Sequence, residues 1–167
     1  MGDVMIPTAR RVQYAYGYLG LGLLAEAAHE LDAVVEADQF APEVMAARMD
    51  LFMAAHEWAR VVDYARRLLE RDRNNVAAWI SLGCAVRRVE NVAAAKQVLL
   101  EAERLHGNQH AVIHYNLACY TCLLGEMTAA KAHLTRACRM DASFKAAALK
   151  DTDLAALADF VRELKVA

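Results

Sequence analysis

Residues 92–104, VAAAKQVLLEAER, and residues 127–139, MTAAKAHLTRACR, repeat one pattern 35 positions apart. Each sets an alanine (Ala95, Ala130), a leucine one helical turn later (Leu99, Leu134) and a second alanine near the next turn (Ala102, Ala137), so short side chains flank a long one on a single helical face. Worked outward, the register extends over the whole chain. Ala27, Val61, Ala95 and Ala130 are spaced by 34, 34 and 35 residues, and the same spacing aligns Ala15, Met49, Gly83 and Ala118. Two further columns follow it: Leu31, Ala65, Leu99 and Leu134, then Val34, Leu68, Ala102 and Ala137. A period near 34 with helical spacing inside it predicts tandem helical hairpins, each too small to bury its own faces and stabilised by its neighbours.

Composition agrees with an all-α chain. Of 167 residues 57% are hydrophobic, enough for a continuous core, and only two prolines and seven glycines interrupt the helix formers. The 19 Lys+Arg and 21 Asp+Glu leave a net charge of −2, which argues against a nucleic-acid partner held by phosphate neutralisation. Met1 to Arg11 lack a charged head followed by an apolar run and a cleavage site, and no stretch reaches about 18 uninterrupted apolar residues. The expectation is a cytoplasmic protein with no membrane partner. Cys84, Cys119, Cys122 and Cys138 all fall in predicted helices of the second half and read as free thiols of a reducing compartment.

Turn chemistry divides the chain further. Thr8 is expected to cap a helix over 8–21 that Gly20 and Gly22 end, and a second helix is predicted over 25–37. Pro42 suits the first turn of the next helix, and a turn near His56 leads into a helix over 58–71. Asp72 to Asn75 form a polar capping turn before a helix over 76–88, and Glu90 and Asn91 turn the chain into one over 92–106, which Gly107 and Asn108 stop. Helices over 111–124 and 127–140 follow, joined at Gly125. One domain spans 1–167, with repeats at 8–41, 42–75, 76–110 and 111–144 and a closing segment over 145–167. In that segment Phe144, Ala148 and Leu149, then Leu154, Leu157, Phe160, Val161 and Leu164, form two apolar stripes to cover the last hairpin, with Asp153 as a helix cap.

The third unit carries Trp79, Leu82, Gly83, Val86, Ala95, Leu99 and Ala102; the fourth carries Tyr115-Asn116-Leu117-Ala118, Gly125-Glu126, Ala130, Leu134 and Ala137. These residues resemble the tetratricopeptide repeat. Arg11, Met45, Met49 and Val61 depart from its pattern in the first two units. The resemblance implies a right-handed α-α superhelix (a solenoid) of four helical hairpins plus a C-terminal capping helix, without catalytic activity or cofactor. Its first helices would line a concave groove that binds a peptide or helix of a protein partner. Asp151-Thr152-Asp153-Leu154, followed by Leu157, resembles the closing segment of many bacterial tetratricopeptide proteins and points to a bacterial source.

On this implication the groove is lined by Val12, Gln13, Tyr16 and Leu19 in the first hairpin and by Asp50 and Met53 in the second. The third contributes Ile80, Cys84 and Arg87, the fourth Tyr115, Asn116, Cys119 and Leu123. Such a lining is mainly apolar and suits an apolar segment, with Arg87 offered to an acidic group and Asn116 to a peptide backbone. The alternatives are packing against the chain's own terminal arm or a homodimer. A clamp for a terminal carboxylate is not expected, because its cationic and amide places hold Val12, Tyr16, Ala47, Ala77 and Ser81. In size, repeat content and apolar groove the chain also resembles small type III secretion-like chaperones for hydrophobic translocators, although it lacks an obvious long N-terminal dimerisation helix.

A different class of function would use the thiols. Cys119 and Cys122 lie three apart on one helix and Cys84 occupies the equivalent place one repeat earlier, so a thiol- or metal-dependent protein is the rival reading. Mid-helix thiols gain little from a helix dipole, and paired CxxC knuckles are missing. His110 and His114 are four apart near a surface turn, without the adjacent Glu of a zinc-protease helix, and read as exposed or hydrogen-bonded. Gly17, Gly20 and Gly22 lack the strand and the Lys of a phosphate loop. Arg66, Arg67, Arg71 and Arg73 alternate with Asp63, Glu70 and Asp72 as a solvated face. The sequence therefore assigns no catalytic residue and no metal ligand.

Overall fold

A computed structural model, which describes residues 6–165, buries all sixteen positions of the four repeated columns. Short residues there let paired helices approach closely while Leu31, Leu68, Leu99 and Leu134 fill the space between them. The chain divides into two compact units, residues 1–73 and 74–167.

The first unit holds α1 (Thr8–Gly20), α2 (Leu24–Asp32), a 3-10 turn (Glu36–Asp38), α3 (Pro42–Ala54) and α4 (Trp58–Arg71). Helix α1 packs on α2 and α3, and α3 packs on α4. Pro42 opens α3 as its spacing predicts. Two expectations are corrected. Pro7 rather than Thr8 holds the cap position of α1, and the Thr8 hydroxyl instead donates to Asp38 Oδ2 at 2.5 Å, tying α1 to the 3-10 turn. Helix α2 stops at Asp32, short of the expected 37. The carbonyls at its end are taken by side chains: Gln39 Nε2 donates to Val34 O at 2.7 Å, and Arg48 Nη2 donates to Leu31 O at 3.0 Å. Because Arg48 arrives from α3, helical periodicity could not reveal this stop.

Three of the four turns inside the hairpins reuse one backbone device, and the turn at Glu90 (φ −120°) does not. Gly22 (φ 72°), His56 (φ 59°) and Gly125 (φ 76°) occupy the same register place in a left-handed conformation. His56 adopts it despite its Cβ, with its ring edge-on to Trp58 at 5.2 Å.

The second unit holds α5 (Val76–Val89), α6 (Val92–His106), α7 (Ala111–Leu123) and α8 (Met127–Met140), with α5 on α6, α6 on α7 and α7 on α8. Asn75 and Asn91 cap α5 and α6 by accepting from the Ala78 and Ala94 amides at 3.0 and 2.8 Å. Gly83 marks a close approach of α5 and α6, since a Cβ there would lie 3.0 Å from Leu99 Cδ2. Beyond α8 come α9 (Ser143–Ala148), a 3-10 segment (Thr152–Leu157) and α10 (Ala158–Glu163). Leu154, Leu157 and Val161 are buried, and the 3-10 segment packs on α7. Asp151, not Asp153, caps that segment, accepting from the Asp153 amide at 2.9 Å. Among the described residues no helix is long and apolar enough to cross a membrane.

Candidate binding face

In the first unit α1 and α3 bring Tyr16 and Asp50 together, the phenol donating to Asp50 Oδ2 at 3.2 Å. The two residues are 34 apart, one repeat, so the register itself creates the pair. Burial, and then the Asp50 charge, push the Tyr16 phenol up to about 12, so it stays a donor at neutral pH. Burial raises Asp50 as well, against the lowering effect of the Tyr16 hydrogen bond. Around this pair Gln13 is exposed, Leu19 and Met53 are half-buried, and Tyr16 keeps 42% of its surface in solvent. Val12, expected on the same face, is buried in the core with Ala15 and Leu31.

The corresponding face of the second unit is covered by the chain itself. Arg87, near the end of α5, grips the Asp153 carboxylate with both arms of its guanidinium; Nη1 bonds Oδ2 and Nη2 donates to Oδ1 at 3.0 Å. From α7 the Tyr115 hydroxyl donates to Asp151 Oδ2 at 2.8 Å, its ring stacks on Phe144 with centroids 4.7 Å apart, and the Cys119 thiol reaches the same Asp151 oxygen at 3.6 Å. Arg87, Tyr115 and Cys119 are thus brought together, around Asp151 and Asp153. Ile80 and Cys84 are half-buried, and Leu123 is exposed. Asn116, expected to meet a peptide backbone, donates to Val112 O of its own helix at 2.9 Å.

Sequence reasoning treated Asp153 as a helix cap and so missed half of this arrangement. Only Asp151 caps, while Asp153 serves as the counter-ion of Arg87, 66 residues away. No local signal marks a pairing at that separation.

The remaining chemical candidates also find places. Cys119 lies near Asp151 and Asp153, and among the described residues its close ligand-type neighbours are these carboxylates rather than Cys84 and Cys122. Burial raises the Cys119 thiol well above its ordinary value, with the Asp151 charge adding to it, and burial also raises Cys122. Both are therefore thiols at neutral pH, the opposite of an activated nucleophile. His110 sits beside His106 at 6.4 Å, whereas His114 is fully buried, with Nε2 2.7 Å from Gly107 O, so these two histidines do not form a pair. Arg67 pairs with Asp63, and Arg71 donates to Phe40 O, consistent with a structural arginine face.

With consecutive helix pairs and this register established, comparison with known proteins is decisive for the fold. It is a tetratricopeptide-type fold. The crystal structure of YrrB, described as a TPR protein with an unusual peptide-binding site, matches with a TM-score of 0.64 at 14% sequence identity, over 93% of this chain and 84% of that one. No protein-family model and no curated protein matches the sequence. At this identity the likeness is one of fold. Within it the tetratricopeptide-type pairs are α1/α2, α3/α4, α5/α6 and α7/α8, and the predicted face falls on the first helix of each.

Proposed function

We propose that this chain is a non-catalytic protein-interaction module that takes up a peptide or helical segment of a protein partner on the first helices of its repeats. The observation that carries this reading is the segment Asp151–Leu157, which the α5 and α7 face holds through Arg87, Tyr115 and Cys119. A face that accepts its own chain through a guanidinium fork, a phenol and adjoining apolar burial has the chemistry to accept an acidic and apolar segment. In the first unit the equivalent place offers Gln13, Tyr16, Asp50 and Met53, with Tyr16 and Gln13 open to solvent. That is where we place the first contact of a partner. YrrB, which shares the fold, is described as having a peptide-binding site. A cytoplasmic adaptor accords with the reading, and a chaperone for apolar translocators is its narrower form.

The test is affinity capture from the native host with the wild-type chain and with Tyr16→Ala and Asp50→Ala. Tyr16 is partly exposed, so both variants should fold, as circular dichroism would verify. Loss of a tyrosine anchor should weaken retention of a captured protein about tenfold or more. Retention of the same proteins by both variants would refute the assignment of the face. Concentration-dependent sedimentation without a captured protein would replace it by self-association.

A further inference from the structure

Glu103 on α6, His114 on α7 and His133 on α8 meet in the second unit, away from the face described above. The Glu103 Oε1 atom lies 3.1 Å from His114 Nδ1 and 3.5 Å from His133 Nδ1, and the three donor atoms are all within 4.8 Å of one another. The two imidazoles stack with centroids 5.8 Å apart.

The state of His114 is the informative part. Its side chain is 0% exposed, and Nε2 lies 2.7 Å from the carbonyl oxygen of Gly107. A carbonyl only accepts, so Nε2 carries a hydrogen, and Nδ1 is the ring atom that faces Glu103. Nδ1 is buried without a hydrogen-bond partner. A buried ring nitrogen without a hydrogen-bond partner, set against a carboxylate, is a place where a positive ion would satisfy both groups. A ring whose far N–H is fixed by a backbone carbonyl while its near nitrogen is left free is also how metal-binding histidines are oriented.

We propose that Glu103, His114 and His133 bind one divalent transition-metal ion of the zinc class through Oε1 and the two Nδ1 atoms. Ligands about 2.0–2.1 Å from a tetrahedral zinc lie roughly 3.3–3.4 Å from each other. The carboxylate-to-imidazole distances of 3.1 and 3.5 Å bracket that value. Two imidazoles and a carboxylate form a donor set suited to zinc rather than to calcium or magnesium, which prefer oxygen. His133 and Glu103 retain 17% and 25% of their side-chain surface, which gives the ion an entry path and leaves the fourth position to water. Burial lowers His133, opposed by Glu103 and aided by His114 and Arg136. Arg136 is the opposing charge; its guanidinium is engaged with Asn108 Oδ1 at 2.5 Å. An ion here would fasten α6, α7 and α8 to one another.

The test uses the untagged full chain, stripped with chelator, desalted and titrated with zinc ion alone. Calorimetry and elemental analysis should give one zinc per chain, with a higher melting temperature. Glu103→Gln and His133→Ala, both at partly exposed positions, should each weaken binding by about 100-fold or more, since even outer-shell partners cost about 10–100-fold. His29→Ala, on an exposed surface of the first unit, should leave affinity unchanged, and Arg136→Ala should raise it. Independently of any variant, zinc should shift the ring nitrogen resonances of His114 and His133 and of no other histidine. The proposal is overturned by substoichiometric zinc, by unperturbed His114 and His133 resonances, or by binding that disappears when the thiols are alkylated.

Discussion

Leu154→Ala tests whether the segment after Lys150 is a removable cover on α7 or an inseparable part of the second unit. Leu154 is completely buried and lies in the 3-10 segment that packs on α7, between Arg87–Asp153 and Leu157. Shortening a buried leucine to alanine costs about 2–5 kcal/mol, through lost transfer energy and the cavity left behind. If that loss falls on docking of the segment, the open population rises by a factor of roughly 30 to several thousand, at 1.4 kcal/mol per decade. Cys119 reports the opening. It is buried, and its thiol contacts Asp151 of the same segment. Thiol labelling of the native protein, resolved by residue with mass spectrometry, should therefore accelerate at Cys119 by about 30-fold or more. Half-buried Cys84, on α5, serves as an internal reference. Hydrogen exchange should rise across 150–163 while the cores of α5–α8 stay protected. Unchanged Cys119 labelling combined with a uniform fall in protection over the whole second unit would refute the cover and make the segment part of the cooperative core.

Ala95→Leu and Ala130→Leu each add volume where paired helices meet with no exposed surface, and should destabilise the chain by about 1–3 kcal/mol in denaturant titrations; an unchanged midpoint would contradict the register. Stability should also fall on the alkaline side. Cys119, Tyr115 and Tyr120 are acids whose folded values are raised, first by burial. Their contribution is complete below the unfolded thiol value of about 8.5 and is lost as pH rises toward the folded values, at most about 1.4 kcal/mol per pH unit for each group. Melting temperatures between pH 7 and 10 should therefore decline, and Cys119→Ala should flatten the first part of that decline.

Legibility followed the range of the interactions involved. The four columns, Pro42 at the start of α3, the Asn75 cap, the turn at Glu90 and Asn91 and the Gly125 turn were readable because each depends on neighbours within about one helical turn, whereas the Asn91 cap itself came only from the structure. The premature end of α2 was not, since Arg48 and Gln39 supply its missing partners from outside the helix. The predicted face was legible only as a list of outward positions. Tyr16 with Asp50 emerged from the repeat register, whereas Val12 turned inward and Asn116 spent its amide on its own helix.

What the amino-acid order alone determined is helix, period and pairing, because backbone hydrogen bonds and a buried stripe are local properties that recur every 34 or 35 residues. Tertiary structure decided what occupies the side chains left over. Arg87 meets Asp153 across 66 residues, and Glu103, His114 and His133 meet from three helices. Such encounters depend on where the stacked helices bring carboxylates, rings and thiols within a few ångströms, and one-dimensional spacing carries no measure of that distance.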